Sequence, residues 1–414
     1  MIVNLKEQHC ENFLQSLHKE QWQEVRLGEV AEIVNGYAFK SKEFLNIQQR
    51  DSLPIIKIKN VANGDVNLND VVFYPYSKQL EKFLIKYGDI LVSLTGNHPQ
   101  AQSQVVGQIS KYKYKQFALL NQRVAKIVTK DAEQDFLYYL LKTNKIHNIL
   151  ASHSSGSANQ ANISSKDIEN LTIPLPPLTI QQKIAEILSS FDDKIDLLHR
   201  QNKTLESLAL TLFRHYFIDN PNRNEWEEKP LSEIAEIGIG RTPPRKERHW
   251  FSTDSRDIKW ISIKDMEEKI FIVNTSEFLT MEAIRKFRIP LIPPNTILLS
   301  FKMTLGRVSI TTENMLSNEA IAHFNLYSEY RLFTEYLYCF LKTFKYETLG
   351  STSSIVTAIN STLIKSINIR IPDRKIIVEF SMIAKGFFDK IYNNTKQIQN
   401  LQAMRDMMLG KIFN

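Results

Sequence analysis

PLPPLTIQQKIAEILSSFDDKIDLLHRQNKTLESLALTLFRHYF, residues 174–217, decides the fold. From Ile184 its apolar positions run Leu188, Phe191, Ile195, Leu198, Asn202, Leu205, Ala209, Leu212 and Tyr216. Steps of four and three alternate without a slip, the heptad period of a coiled coil. Pro174, Pro176 and Pro177 set the start, since proline is tolerated before or in a first turn and not inside. At about 1.5 Å per residue, a helix from Thr179 to Phe217 is a rod of roughly 58 Å.

A degenerate copy, KIIVEFSMIAKGFFDKIYNNTKQIQNLQAMRDMMLGKIFN, occupies residues 375–414. Its seam is Phe380, Ala384, Phe387, Ile391, Asn394, Ile398, Leu401, Arg405, Met408 and Ile412. DDKID around Asp193 matches FDKIY around Asp389. If the two rods pack antiparallel, one register pairs every seam position: Phe380 with Tyr216, Ile391 with Leu205, Ile412 with Ile184. That register sets Asn202 opposite Asn394, and a seam asparagine can fix register because any slip buries its amide without a partner.

The repetition extends to the rest of the chain. WQEVRLGEVAEIVNG from Trp22 matches WEEKPLSEIAEIGIG from Trp226, with Gly36 on Gly240. IKIKNV (56–61) matches WISIKDM (260–266), and both read as strands. GDILVSLTG (88–96) matches NTILLSFKM (295–303), LLNQRVAKI (119–127) matches LSNEAIAHF (316–324), and DFLYYLLKT (135–143) matches the helical TEYLYCFLKT (334–343). The expected fold is α+β: two pseudo-repeated mixed α/β globules separated by two long antiparallel coiled-coil helices. The expected segments are an N-terminal extension with a short helix (1–20), a first globule (21–173), a central helix (174–219), a second globule (220–371) and a C-terminal helix (372–414). The copies diverge at 37–55, 97–118 and 241–258, so one scaffold carries two different surfaces.

At 414 residues and 43% hydrophobic the chain has material for two cored domains. A net charge of +7 and a pI near 9.0 tilt the partners towards nucleic acid. Two cysteines, Cys10 and Cys339, lie far apart without metal or disulfide spacing. No apolar run reaches the length of a membrane span, and the first residues are too polar for a secretory signal, so a cytoplasmic location without a membrane partner is expected. Two unlike globules held apart by a helical ruler suit a reader of two short targets at fixed separation. DNA is such a ligand, and a rod of roughly 58 Å caps the separation at about 17 base pairs.

The order of Trp, LGE, AEI and NG, then GDILVS, NQR and IPLPPLTIQQKIAEIL with DDKID, given twice from Trp22 to Asn414, resembles the specificity subunit of type I restriction–modification systems. PLPPLTIQQKIAEILSSFDDKID is its most specific part. The resemblance implies that each globule is a target recognition domain reading half of a bipartite double-stranded DNA site. It implies that the long helices set the gap and dock two DNA methyltransferase subunits, through which restriction/translocase subunits join. The second copy departs from the pattern: IPDRKIIVEF lacks both PLPP and QQKIAEI.

DNA contact calls for basic side chains on phosphates and Asn, Gln, Arg or Lys on base edges. In the first globule these are Lys40 and Lys42 after the NG turn, Lys59, Thr95 and Asn97 in the LTGN loop, Gln122, Arg123, and Lys111, Lys113 and Lys115 in KYKYK. As a strand, KYKYK puts lysines on one face and tyrosines on the other, which also describes an edge strand guarded against aggregation. In the second globule they are Arg241, Arg245, Lys246 and Arg248 in the extended RTPPRKERHW loop, Lys264, and Lys302, Thr304 and Arg307 in SFKMTLGR. The Ser/Asn-rich stretches SHSSGSANQANIS and GSTSSIVTAINST read equally as connectors or groove readers.

No chemistry is framed. There is no adenine-methyltransferase NPP[FY] motif, no GxxxxGK[ST], no paired-carboxylate nuclease pattern around Glu267 and Glu268, and no metal spacing among nine histidines. The expectation is a non-catalytic reader without cofactors, with S-adenosylmethionine, magnesium and ATP belonging to partner subunits. The rivals are a two-globule protein adaptor whose basic loops are incidental, and a fused enzyme with a divergent site.

Overall fold

The computed structural model describes residues 13–14, 17–61, 65–96, 105–154, 161–302, 304–349 and 360–413. Most of the helix expected in residues 1–20 therefore lies outside the described residues, as does most of the stretch GSTSSIVTAINST. The chain divides into two compact units, Met1–Asp193 with Gln402–Asn414, and Lys194–Leu401. The two long helices, Leu178–Phe213 and Arg374–Phe413, each contribute to both.

In the second unit the helices run antiparallel. Tyr216 meets Phe380 at 6.2 Å between ring centres, while Ile195 and Leu198 cluster with Ile398 and Leu401. Between these contacts Asn394 Nδ2 donates to Asn202 Oδ1 at 2.9 Å, and Asn394 is 1% exposed. The heptad does not persist to the helix end. Beyond Asn202 the deepest side chains are Ala209, Phe213 and Phe217, with Leu212 and Tyr216 only half-buried. Phe388 similarly replaces Phe387 as the buried residue. An α-helix drifts relative to a strict heptad, and here the partner changes from a facing helix to the core of the second globule. A π turn, Arg214–Ile218, ends the central helix, with Asp219 N donating to Arg214 O.

Each unit is built around a mainly antiparallel sheet. In the first its order is Ala31–Asn35, Val124–Thr129, Ile90–Ser93, Ile109–Lys111. In the second it is Ala235–Ile239, Ile321–Leu326, Ile297–Ser300, Val308–Thr311, with Phe271–Ile272 added at the edge. ILVS and ILLS are buried at all four positions, as expected for central strands covered on both faces. A second sheet in each unit pairs two segments in parallel, Ile55–Ile56 with Leu119–Leu120 and Trp260–Ile261 with Leu316–Ser317. A two-stranded ribbon ties the start of each globule to the strand entering its long helix: Gln23–Arg26 with Thr172–Leu175, and Glu227–Pro230 with Asn368–Ile371.

The repeat anchors have physical causes. A Cβ on Gly36 would stand 2.1 Å from the Asn121 carbonyl oxygen, and one on Gly240 2.2 Å from that of Asn318. Only glycine permits this crossing of two backbones. Gly36 N donates to Val124 O and Tyr37 N to Leu120 O; Gly240 N donates to Ile321 O and Arg241 N to Ser317 O. The stretches 56–61 and 260–266 are not strands throughout. Strands end at Ile56 and Ile261, and single helical turns follow, because the Asn60 and Asp265 side chains accept from Lys57 N and Ser262 N and close the backbone.

The interiors differ where each globule meets the long helices. In the first unit Asp192 accepts from the Tyr139 hydroxyl at 2.9 Å and from Arg405 Nη1 at 2.7 Å. Burial opposes the charge on Arg405, and Asp192 with Asp406 overcomes it, so the guanidinium holds its proton more firmly than usual. The repeat places Cys339, Phe388 and Ala209 at these three positions of the second unit, all buried in one apolar cluster. A second exchange lies in the main sheets. Lys126 pairs with Asp89 at 3.4 Å in the first; His323 and Thr296 occupy these places in the second. Among the described residues, His323 Nε2 and the Thr296 hydroxyl are buried without a hydrogen-bond partner. Burial lowers the His323 pKa to about 4, only partly offset by a hydrogen bond with the Ile239 backbone.

Candidate nucleic-acid interface

In the first unit the glycine crossing brings Tyr37, Gln122 and Arg123 together. Gln122 N donates to Tyr37 O at 3.0 Å, and Asn121 Oδ1 accepts from Arg123 N at 3.4 Å, so an Asx turn presents both side chains to solvent. Lys40 and Lys42 are exposed at and inside the short turn Ser41–Glu43 that follows. Lys59 is exposed on its helical turn and its Nζ donates to Asp70 O at 2.7 Å.

KYKYK behaves differently from a free basic strand. The strand ends at Lys111, Tyr112 is fully buried, and Tyr112 and Tyr114 pack together at 5.4 Å. Lys111 reaches Asp135 at 2.7 Å and Lys113 reaches Asp65 at 2.8 Å, all partly buried; Lys115 is exposed. Burial would raise the Asp65 pKa, but Lys142 and Lys113 hold it well below the usual carboxylate range. Thr95 is buried in a two-residue strand paired with Ala161–Asn162, and Asn97 lies outside the described residues.

In the second unit Arg241 follows the equivalent crossing, and its Nη1 donates to Phe287 O at 3.0 Å. Beside it the Thr242 hydroxyl donates to the exposed Glu319 carboxylate. RTPPRKERHW is not extended throughout as expected: it turns at Arg245–Lys246, where Glu247 N donates to Pro244 O at 3.0 Å, and makes a single helical turn at Arg248–Trp250. Within it Arg245 lies over Phe251 and Trp260 at 4.4 and 4.6 Å and donates through Nη1 to both Glu277 oxygens at 2.7 and 2.9 Å. Lys246 and Arg248 are exposed, and so is Lys264 at the position matching Lys59. In SFKMTLGR, Lys302 and Thr304 are exposed, while Arg307 turns inward to Ile263 O at 2.8 Å and Glu267 at 3.1 Å.

Of the expected residues, Lys111, Lys113, Arg245 and Arg307 brace the globules through carboxylates, Lys59 and Arg241 donate to backbone carbonyls, and Thr95 is buried; Lys40, Lys42, Lys115, Gln122, Arg123, Lys246, Arg248, Lys264, Lys302 and Thr304 are exposed. Tyr37 and Glu319 were not singled out by composition, yet each stands at a crossing. The match of NQR with NEA, which puts Glu319 on Gln122, was the signal for the second. Among the described residues no group of His, Cys, Asp and Glu could hold a metal ion, and no helix is long and apolar enough to cross a membrane.

Residues 19–207 and 223–403 each match the model of the type I restriction modification DNA specificity domain. The chain belongs to that family. A relative within it is the type I restriction enzyme MjaIX specificity subunit of Methanocaldococcus jannaschii, 26% identical over 396 residues, covering 87% of this chain and 89% of the relative. The HindI specificity subunit of Haemophilus influenzae is 24% identical over 358 residues, covering 68% of this chain and 76% of its own. The fold is shared with the type I restriction–modification S subunit of M. genitalium at a TM-score of 0.56 and 16% identity, covering 95% of this chain and 96% of that one. Two family domains in one chain account for the duplicated globules, and recognition of DNA sequence is the function to which the family points.

Proposed function

We propose that the chain reads an asymmetric bipartite DNA site, one half through residues 21–173 and the other through residues 220–371. The observation that carries this reading is the duplicated glycine crossing with unlike residues on it, Tyr37, Gln122 and Arg123 in one unit and Arg241, Thr242 and Glu319 in the other. One scaffold with two chemistries matches two half-sites of different sequence. Gln and Arg are bidentate partners of adenine and guanine, and Glu accepts from the cytosine amino group. The exposed lysines supply phosphate contacts, which position without specifying. The long helices set the gap and dock two DNA methyltransferase subunits, with restriction/translocase subunits joining through these. Such an assembly works on chromosomal DNA in the cytoplasm.

Selection from a random DNA pool, using the chain co-expressed with the methyltransferase subunit of its system, tests the reading. Recovery of two unlike half-sites with one invariant gap is expected. Arg123→Ala should relax one position of one half-site by about 1–3 kcal/mol. Lys246→Ala should weaken all sequences alike and reduce the salt slope by about 0.9. No enrichment with the complex intact would leave the protein adaptor as the reading.

A further inference from the structure

The second unit holds a cavity of about 810 Å3 at the foot of the central helix. Leu210, Phe213 and Phe217 from the last turns of that helix wall one side, and Tyr336, Phe340 and Phe344 the other. The first unit has a cavity of about 450 Å3 in the equivalent place, between Thr143, Asn144 and Lys145 and the turn Asp406, Leu409 and Gly410. Matching DDKID to FDKIY, and DFLYYLLKT to TEYLYCFLKT, superposes the two sites residue by residue. Phe344 stands where the first unit has Asn144, and Leu210 where it has Asp406. The groove is duplicated, and Thr143 and Lys145 recur as Thr343 and Lys345, but the apolar floor of Leu210, Phe213 and Phe344 replaces Asp406, Leu409 and Asn144.

The rim of the larger groove carries Arg214, Arg223, Lys345 and Arg370; Glu228 lines it as well, and Asp219 pairs with Arg214 at 3.3 Å, so the cations still outnumber the acids. Arg370 holds Glu228 at 2.9 Å, so the acid is already engaged, while Lys345 is exposed. An aromatic floor inside a cationic rim complements a short polypeptide segment with a bulky apolar anchor flanked by carboxylates. Phosphate backbone would meet the rim and leave the floor unfilled. The floor is moreover formed at a π turn, a local widening of the helix that is frequent at functional sites.

We propose that this groove seats such a segment of the methyltransferase subunit, and that the polar groove of the first unit does not. The inference rests on the docking reading above and adds that the two partner copies are held unequally.

The test is native mass spectrometry of the full chain co-expressed with its methyltransferase subunit. The unsubstituted chain should carry two copies. Phe344→Asn combined with Lys345→Glu should leave one copy bound, with the second weakened at least 10-fold. Lys345→Glu alone, at an exposed position, should weaken the second copy without touching the core. Asn144→Asp with Lys145→Glu in the first groove should keep both copies. Two copies with unchanged affinity on the Phe344/Lys345 variant would overturn the proposal, as would equal losses from both grooves. A dimer of this chain alone, broken by Phe344→Asn, would overturn it by assigning the groove to a second copy. No methyltransferase bound to the unsubstituted chain would instead remove the docking reading itself.

Discussion

The two units solve one packing problem with opposite chemistry. Where the first globule meets the long helices, Tyr139, Asp192 and Arg405 form a partly buried hydrogen-bonded triad. The second unit fills the same three places with Cys339, Phe388 and Ala209. A charged triad is directional: it tolerates one angle between helix and globule, and every lost partner leaves a charge in a poor solvent. An apolar trio is not directional and only has to fill volume. The backbone architecture therefore does not depend on the polarity of its joints.

The largest effect should come from breaking the triad. Asp192→Ala takes away the buried partner of Arg405 and of the Tyr139 hydroxyl, leaving Arg405 only the more exposed Asp406, and should destabilise the first unit by up to about 3 kcal/mol. Hydrogen exchange read separately in the two units is the appropriate measurement, since two cored units need not unfold in one step. Replacing all three residues with the second unit's set (Tyr139→Cys, Asp192→Phe, Arg405→Ala) should instead cost little, or stabilise by about 1–4 kcal/mol. If the triple replacement is as damaging as the single one, the two joints are not interchangeable and the comparison fails.

The second contrast is acid sensitivity. His323 is held neutral by burial, with its pKa near 4 against an ordinary 6.5. Below pH 6.5 the unfolded chain binds the proton and the folded one does not, so stability is complete above that pH and falls as pH drops towards 4. The loss approaches about 3 kcal/mol at one pKa unit per 1.36 kcal/mol. Unfolding of the second unit followed from pH 7 to pH 4 should show this slope. His323→Lys with Thr296→Asp, which copies the Lys126–Asp89 pair, should abolish it. An unchanged slope in that variant would place the acid sensitivity elsewhere.

The smallest effect concerns a feature within the second unit alone. Asn202→Leu with Asn394→Leu should raise stability by about 1–2 kcal/mol while loosening register, as expected for seam asparagines that trade stability for specificity. Disulfide trapping between cysteines placed in and one heptad out of register would detect the slipped form. A variant that crosslinks only in register would show that the flanking aromatic contacts suffice.

What the sequence made legible follows from which signals are local. The heptad steps, the twofold repeat and the Asn202–Asn394 juxtaposition depend on spacing along the chain, and the prolines at 174, 176 and 177 mark where the central helix can begin. The drift from Leu212 to Phe213 and from Phe387 to Phe388 was not, because it depends on which surface each turn packs against. The candidate interface was legible as a set of segments and much less as side chains. Lys111 and Lys113 look like phosphate binders until Asp135 and Asp65 are brought to them by the fold. Arg245 looks like a free cation of a solvated loop until the fold sets it against Glu277 and Trp260. Charge partners remote in sequence leave no periodic trace, whereas the glycine crossings recur at matching places and so point to Glu319.

Those crossings make the molecule a template for exchange. The contact is backbone on backbone, closed by Gly36 over Asn121 and Gly240 over Asn318, and involves no side chain of the variable loops. Any loop whose ends meet those carbonyls inherits the same platform. If each unit reads its own half-site as proposed, the face of one can be rewritten without retuning the other, which gives two independently editable alphabets on one frame.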